Sequence, residues 1–186
     1  MRHGNARTAR RIAGVVLAAC LAVRARAEDT PADRFLDRLR GLAGEWEGSV
    51  QWTGARTDSG GGRARYRVTG NGSAVVEDLF VGSGSIPSMT TVYHTDGADL
   101  RMTHYCGARN QPRLKASRID EAAGLAEFAF VDATGLAAQP AHVEAFEIRL
   151  LPDDRLVLRF TFDAGGRKSF ERIELSRRKT DAPGGR

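Results

Sequence analysis

A histidine and a cysteine two residues apart, His104 and Cys106, are the side chains of this sequence best suited to chemistry. On a β-strand such residues point to the same face, with their Cα atoms about 6 to 7 Å apart. An imidazole beside a thiol can bind a metal, form part of a nucleophilic pair, or supply a polar spot in a ligand cavity. The pair can equally be a hydrogen-bonded buried histidine next to a cysteine that packs as a small hydrophobic residue.

A metal centre or a nucleophile would need more than this pair. A nucleophile requires an oxyanion site and a group that orients its base, and no third metal ligand stands at a recognisable spacing from His104 and Cys106. We therefore assign no metal ligand and no catalytic residue from the sequence. A ligand cavity and an ordinary packed interior are the two interpretations that the pair favours.

A β-hairpin predicted from Met89 to Cys106 decides where these side chains point. Two runs of β-favouring residues flank Asp96-Gly97, a dipeptide that suits a two-residue type I′ turn and would pair Tyr93 with Leu100. The hairpin has two faces, and the one that carries Met89 and every second residue after it in the first strand is more apolar than the other. We therefore predict that this face points inward. It carries Tyr93, Met102, His104 and Cys106. A one-residue slip would instead turn His94 inward and His104 outward.

The segment after the hairpin offers polar groups for a cavity mouth. Asn110 and Gln111 each carry a donor and an acceptor that could orient a polar ligand head, and Arg113 follows them. Asn110 could equally close a turn through its own backbone. Pro112 lacks an amide hydrogen, which restricts it to a strand start or an edge.

The elements that would position these residues begin with one short helix. Thr30-Pro31 fits a helix start, and apolar residues recur at helical spacing from Phe35 to Leu42, so we predict a helix that ends near Gly41 or Gly44. It could plug one end of a barrel or pack on its outside. Alternate residues from Trp46 to Trp52 then indicate the first half-buried strand.

Short β-favouring runs separated by turns fill the rest of the chain. Besides the hairpin they are residues 63–69, 74–81, 113–120, 125–132, 143–151, 155–163 and 168–175. About ten strands without crossover helices predict an antiparallel up-and-down meander, and closure into a barrel leaves no exposed edge. The glycine-rich stretch Asp58 to Gly62 is predicted as a flexible loop. Arg63, Arg65 and Arg67 are predicted on the outer face of the following strand.

The first 27 residues have the pattern of an export signal. A basic start precedes a twelve-residue apolar run, too short for a membrane span, and Ala25-Arg26-Ala27 fits a cleavage site. We predict a signal peptide at 1–27, a single domain at 28–178, a disordered tail at 179–186, and a periplasmic or secreted location. The alternative is a lipoprotein anchored at Cys20, since Leu17 to Cys20 resembles a lipobox.

The charge of the chain changes once this leader is removed. Residues 1–27 hold six of the 28 basic residues and none of the 23 acidic ones, so 22 basic residues face 23 acidic ones in the remainder. That balance removes the main argument for a nucleic-acid partner. Cys106 is the one cysteine after Ala27, so no intramolecular disulfide can form there.

Three segments resemble a known family. The run LAGEWEG (Leu42 to Gly48), the meander, and the TVYHTDG and THYC-to-NQPR segments between Thr91 and Arg113 look like a bacterial family of exported lipocalin-like, calycin-type barrels that has no established activity. The resemblance implies an up-and-down barrel around a cavity. The related nitrobindin-like barrels bind haem through one histidine, which no motif here aligns with His104.

We therefore expect an exported, non-enzymatic barrel that binds a small, largely apolar or amphipathic molecule. Its interior lining is predicted to include Trp46, Tyr93, Met102, Phe146, Phe160 and Phe162, with His104 orienting the ligand. The alternatives are a haem or metal protein ligated by His104, an enzyme with His104 as general base, and a structural protein with a filled barrel. The enzyme would need a second titratable group in the cavity, such as Glu77, Glu147 or Arg149. The ligand and the oligomeric state stay open.

Overall fold

The computed structural model describes residues 29–179, which form one main helix and ten strands. The helix α1 spans Pro31–Arg40. The strands are β1 (Gly44–Gly54), β2 (Asp58–Thr69), β3 (Ala74–Val81), β4 (Met89–Asp96), β5 (Asp99–Tyr105), β6 (Gln111–Asp120), β7 (Leu125–Thr134), β8 (His142–Leu151), β9 (Arg155–Asp163) and β10 (Lys168–Arg177). The predicted signal peptide with Cys20, and residues 180–186 of the predicted tail, lie outside the described residues.

The strands form one closed barrel in chain order. Each strand pairs antiparallel with its sequence neighbours, and β1 pairs with β10 from Trp46 opposite Arg177 to Gly54 opposite Ser169. The predicted fold class is confirmed: an all-β, up-and-down barrel of ten strands with a short N-terminal helix. Closure pairs every edge, which is why a meander of short strands can be stable alone. Within residues 29–179, no helix is both long and apolar enough to span a membrane.

The hairpin of β4 and β5 differs from its prediction in register. Asp96 pairs with Asp99, and Tyr93 pairs with Met102 rather than with Leu100, so the turn is Gly97-Ala98. Gly97 has a φ of 59° while neither neighbour has a positive φ, which suits a type II′ turn and not the predicted type I′. The shift is two residues, an even number. Side chains alternate with period two, so the predicted inner face is preserved.

The predicted flexible loop Asp58 to Gly62 is wrong. These residues form the start of β2 and pair with β1, from Asp58 opposite Trp52 to Gly62 opposite Gly48. A Cβ on Gly62 would lie 2.6 Å from Cγ2 of Val50, so the glycine lets the barrel wall pack closely at this point. The outer-face prediction for Arg63, Arg65 and Arg67 is confirmed, since all three are exposed.

Helix α1 closes one end of the barrel. Thr30 caps it together with Asp33, and its buried residues Ala32, Phe35, Leu36 and Leu39 join the barrel core. Arg40 donates to the carbonyl of Gly72 at 2.7 Å on one side, and Arg34 pairs with Glu121 at 2.7 Å on the other. The helix therefore lies across this end, which we call the plugged end. The opposite end, where β1 stops and β10 begins, is called the open end.

Candidate functional site

A cavity of about 680 Å³ occupies the open end of the barrel. Its apolar wall comes from the ends of β1, β3, β4, β8 and β9. That wall consists of Trp52, Val81, Met89, Val143, Phe160 and Phe162. Side-chain alternation places these residues inward, and at this end of each strand they face open space instead of the helix. A cavity of this size with apolar walls can hold a small organic molecule.

The polar groups of the cavity are few. They are Arg56, Ser88, Cys106, Arg167, Ser169 and Glu171. Glu171 stands in β10 directly between Trp52 of β1 and Phe160 of β9 in the strand register. The barrel closure is therefore what brings this carboxyl group between two aromatic rings.

Glu171 is buried without a partner. Its residue is 2% exposed, and within residues 29–179 it makes neither a hydrogen bond nor an ion pair, although it lines the cavity. Burial raises the pKa of Glu171 to about 7, the nearby charge of Arg56 lowers it, and Glu77 raises it further. The indole N–H of Trp52 is close enough to lower the pKa of Glu171, yet it makes no hydrogen bond either. The carboxyl group of Glu171 and the indole N–H of Trp52, both without a hydrogen-bond partner within residues 29–179, therefore lie close together.

Arg56 shapes the rim beside this carboxyl group. Its guanidinium lies 4.3 Å from the ring centroid of Trp52 and pairs with Asp58 at 2.9 Å. Its backbone N–H donates to Oγ of Ser169 at 3.1 Å. The cationic charge of Arg56 is therefore already shared with Asp58 and Trp52.

Cys106 lines the cavity as a protonated thiol. Burial raises the pKa of Cys106 above its usual value, and the N–H of Ala108 donates to its sulfur at 3.5 Å. A nucleophilic cysteine needs a lowered pKa, which this surrounding does not give. Cys106 therefore contributes a soft apolar contact to the cavity.

A row of polar side chains crosses the barrel interior on the other wall. Tyr66, Glu77, Thr91 and His104 stand opposite one another on the successive strands β2, β3, β4 and β5. The hydroxyl of Tyr93 donates to Glu77 at 2.6 Å. Burial raises the pKa of Glu77 to about 7. The hydroxyl groups of Tyr93 and Tyr66 lower this pKa, but by less than burial raises it. We call Tyr66, Glu77, Thr91 and His104 the polar row.

His104 belongs to this row and not to the cavity lining. Its side chain is completely buried, its Nδ1 is 2.9 Å from Oγ1 of Thr91, and its ring centroid is 5.2 Å from that of Phe160. Burial lowers the pKa of His104 to about 4, so the ring is neutral near pH 7. Its Nε2 has no hydrogen-bond partner. Phe160, which lines the cavity, packs against this ring.

The other predicted lining residues divide between the cavity and the core. Phe160 and Phe162 line the cavity, whereas Tyr93, Met102 and Phe146 are buried in the core. Trp46 supports the plugged end: its Nε1 donates to the carbonyl of Leu42 at 2.8 Å and its ring meets that of Tyr66 edge on. These large side chains fill the barrel below the cavity.

The structure does not bring Asn110, Gln111 and Arg113 into the cavity. Asn110 is fully buried, and its Nδ2 donates to the carbonyls of Gln139 at 2.8 Å and Ala141 at 2.7 Å. Gln111 accepts a hydrogen bond from Thr134, and Arg113 pairs with Asp132 on the outer surface. The two hydrogen bonds of Asn110 therefore hold the segment 135–141 beside the start of β6.

Sequence reasoning missed Glu171 as a site residue. Its signal was present, because Ser169, Glu171, Ile173 and Leu175 alternate along β10 and three of the four have no charge. Of the three predicted candidates for a second titratable group, Glu77 is interior, while Glu147 and Arg149 pair with each other on the outer face. Among residues 29–179, no three His, Cys, Asp or Glu side chains group into a metal site.

Comparison with solved structures shows the fold. The crystal structure of Rv2717c from M. tuberculosis is similar with a TM-score of 0.56 and 15% sequence identity, covering 78% of this chain and 98% of that chain. The isotype 1 transferrin binding protein B from serogroup B Neisseria meningitidis has a TM-score of 0.36 and 12% identity, covering 73% of this chain and 25% of that chain, too low a likeness to support an argument. No family model and no curated protein matches the chain.

Proposed function

We propose that this protein is an exported binding protein whose barrel takes up a small amphipathic molecule at its open end. The observation that carries the proposal is one cavity of about 680 Å³ that combines an apolar wall with a buried carboxyl group lacking any partner. Buried polar groups are almost always hydrogen-bonded in folded proteins, so an unpaired one in a cavity indicates a ligand or an ordered water. The export part rests on the sequence pattern of residues 1–27.

Binding fits the chemistry of the cavity better than catalysis does. The thiol of Cys106 stays protonated, and the imidazole of His104 lies behind Phe160, outside the lining. General acid–base catalysis requires the acid or base within hydrogen-bond reach of the substrate. Among the lining residues within 29–179, Glu171 is the one carboxyl group, and no second acid or histidine accompanies it.

Haem, which the resemblance to nitrobindin-like barrels offers as an alternative, does not fit the residues of the cavity. An iron ligand would have to come from the lining, which includes no histidine. His104 has an unpaired Nε2, but its ring packs against Phe160 and is completely buried. Within residues 29–179, the cavity therefore offers no histidine as an axial ligand at the open end.

The test fills the cavity without touching its polar groups. Val81 lines the cavity, and Val131 is half-exposed on the outside of β7, so Val81→Trp and Val131→Trp are a matched pair. The wild type and both variants are purified from the native host and examined by native mass spectrometry, with 8-anilinonaphthalene-1-sulfonate fluorescence as an added probe. Circular dichroism melting shows whether each variant folds.

We expect a bound species or dye binding in the wild type and in Val131→Trp, and its loss in Val81→Trp. An indole at position 81 would occupy the space that the ligand needs. Equal binding by the wild type and a folded Val81→Trp variant would contradict the proposal. So would the absence of both a bound species and dye binding in the wild type.

A further inference from the structure

Three aromatic rings and one carboxyl group stand together in the wall of the cavity. Trp52 and Phe162 pack edge to face with ring centroids 6.5 Å apart, and Phe160 adjoins Glu171 in the strand register. All four residues line the cavity. Aromatic faces attract cations, and aromatic side chains grouped with a carboxylate are a recurring arrangement for binding ammonium groups.

The carboxyl group of Glu171 lacks the positive partner that a buried carboxylate needs. Burying a charge is costly unless it is paired. Arg56, whose charge lowers the pKa of Glu171, makes its ion pair with Asp58 instead. The molecule therefore offers a cation site that its own side chains do not fill.

We infer that the ligand of this cavity is an amphipathic amine, whose ammonium group pairs with Glu171 among Trp52, Phe160 and Phe162 and whose apolar body lies along Val81, Met89 and Val143. The inference rests on the proposed binding function and names its ligand class. Trp52 already has one cation against its ring, the guanidinium of Arg56 at 4.3 Å, which shows that the indole face accepts positive charge.

Charged and titratable groups around Glu171 limit what else the ligand carries. Arg56 and Arg167 stand at the rim, Cys106 faces the carboxyl group from the end of β5, and Glu77 acts on it from across the interior. A second positive charge on the ligand would meet the two arginines. The site therefore favours an amine with one cationic group and an uncharged body.

The experiment compares three probes with the same skeleton: 4-phenylbutylamine, 4-phenylbutan-1-ol and 4-phenylbutyrate. Isothermal titration calorimetry at pH 7 measures each with the wild-type protein, Glu171→Gln, and Glu174→Gln as the matched control. Glu174 is exposed on the outer face of the same strand and pairs with Arg172. Glutamine keeps the shape of residue 171 and removes its charge, so we expect the variant to fold.

We expect the amine to bind the wild type about tenfold more tightly than the alcohol, because a charge-assisted hydrogen bond is roughly twice as strong as a neutral one. Glu171→Gln should bring the amine to within about twofold of the alcohol, and Glu174→Gln should leave the preference unchanged. Binding of the amine should also release protons near pH 7 in the wild type. Burial holds the pKa of Glu171 at about 7, and a cation lowers it.

Other outcomes separate this inference from the proposed function. If the amine and the alcohol bind equally, or if Glu171→Gln keeps the preference, the amine inference fails while the cavity remains a binding site. Tightest binding of 4-phenylbutyrate would overturn it in favour of the rim arginines. If none of the three probes binds, and Val81→Trp changes nothing in the binding of 8-anilinonaphthalene-1-sulfonate, both proposals fail.

Discussion

Glu77 and Glu171 are two buried carboxyl groups in the same barrel with opposite surroundings. Burial raises the pKa of each to about 7. Glu77 accepts a hydrogen bond from Tyr93 and belongs to the polar row, whereas Glu171 opens onto the cavity and has no partner within residues 29–179. Similar burial therefore supports a core network in one place and a candidate ligand group in the other. The difference lies in the neighbours that the fold supplies.

The two ends of the barrel show the same contrast in their apolar residues. At the plugged end, Phe35 of α1 is completely buried among Leu36, Leu39 and the barrel core. At the open end, Phe162 packs on Trp52 but has the cavity on its other side. Both side chains are phenylalanines that point inward. Only Phe35 is enclosed by other side chains on every side.

The largest expected effect comes from truncating Phe35, with Phe162 as the comparison. Phe35→Ala should lower the free energy of unfolding by about 3 to 5 kcal/mol, because it leaves a void in a closed core. Phe162→Ala should cost roughly 1 kcal/mol, because its ring already borders open space. Urea unfolding of both variants measures the two changes. Equal losses would show that the open end is packed as tightly as the plugged end.

The second prediction concerns the pH dependence that Glu77 gives to stability. Its pKa is 4.5 unperturbed and about 7 in the fold, so between these values the unfolded state releases the proton while the folded state keeps it. The contribution of Glu77 to the stability of the wild type should therefore fall as the pH rises from about 4.5 to about 7. Glu77→Gln keeps an acceptor for Tyr93 and should escape this loss of about 3 kcal/mol.

The measurement is the difference in unfolding free energy between Glu77→Gln and the wild type at pH 4, 5, 6, 7 and 8. The difference should grow in favour of the variant up to about pH 7 and then level off. His104, whose pKa burial lowers to about 4, destabilises both proteins as the pH falls and cancels in the difference. A difference that stays flat with pH would show that Glu77 is not shifted by its burial.

The smallest expected change in unfolding free energy comes from comparing the buried amide of Asn110 with the exposed ion pair of Arg113, three residues later. Asn110→Ala removes both hydrogen bonds to the carbonyls of Gln139 and Ala141, which should cost about 1 to 3 kcal/mol. Arg113→Ala removes an exposed pair with Asp132 and should cost less than about 1 kcal/mol. Hydrogen exchange of residues 135–141 should accelerate in Asn110→Ala alone. Faster hydrogen exchange in both variants would show that Arg113 also stabilises residues 135–141.

Much of the fold could be predicted because its signals are local. Alternation of apolar residues predicted ten strands, and the inner face of the hairpin survived an incorrect turn because the register shift was even. The loop prediction for Asp58 to Gly62 failed because glycine runs usually break strands. Here the run pairs with β1 through its backbone, and the small size of Gly62 lets it pack against Val50.

The site was less predictable because the position of a side chain along the barrel axis depends on strands that are distant in the sequence. His104 and Cys106 were correctly placed on one inner face, yet only Cys106 reaches the cavity. Asn110 follows the hairpin closely in sequence but turns to the segment 135–141 instead of the cavity. Strand tilt and the pairing of distant strands set these outcomes.

The sequence by itself determined the class of the fold and the faces of its strands, because both depend on side-chain alternation within a few residues. Only the tertiary structure decided that Trp52, Phe160 and Glu171 stand side by side, since closure of β1 on β10 pairs residues more than a hundred positions apart. It also decided which end of the barrel α1 fills. The helix buries its apolar side at one end and leaves the other end as a cavity.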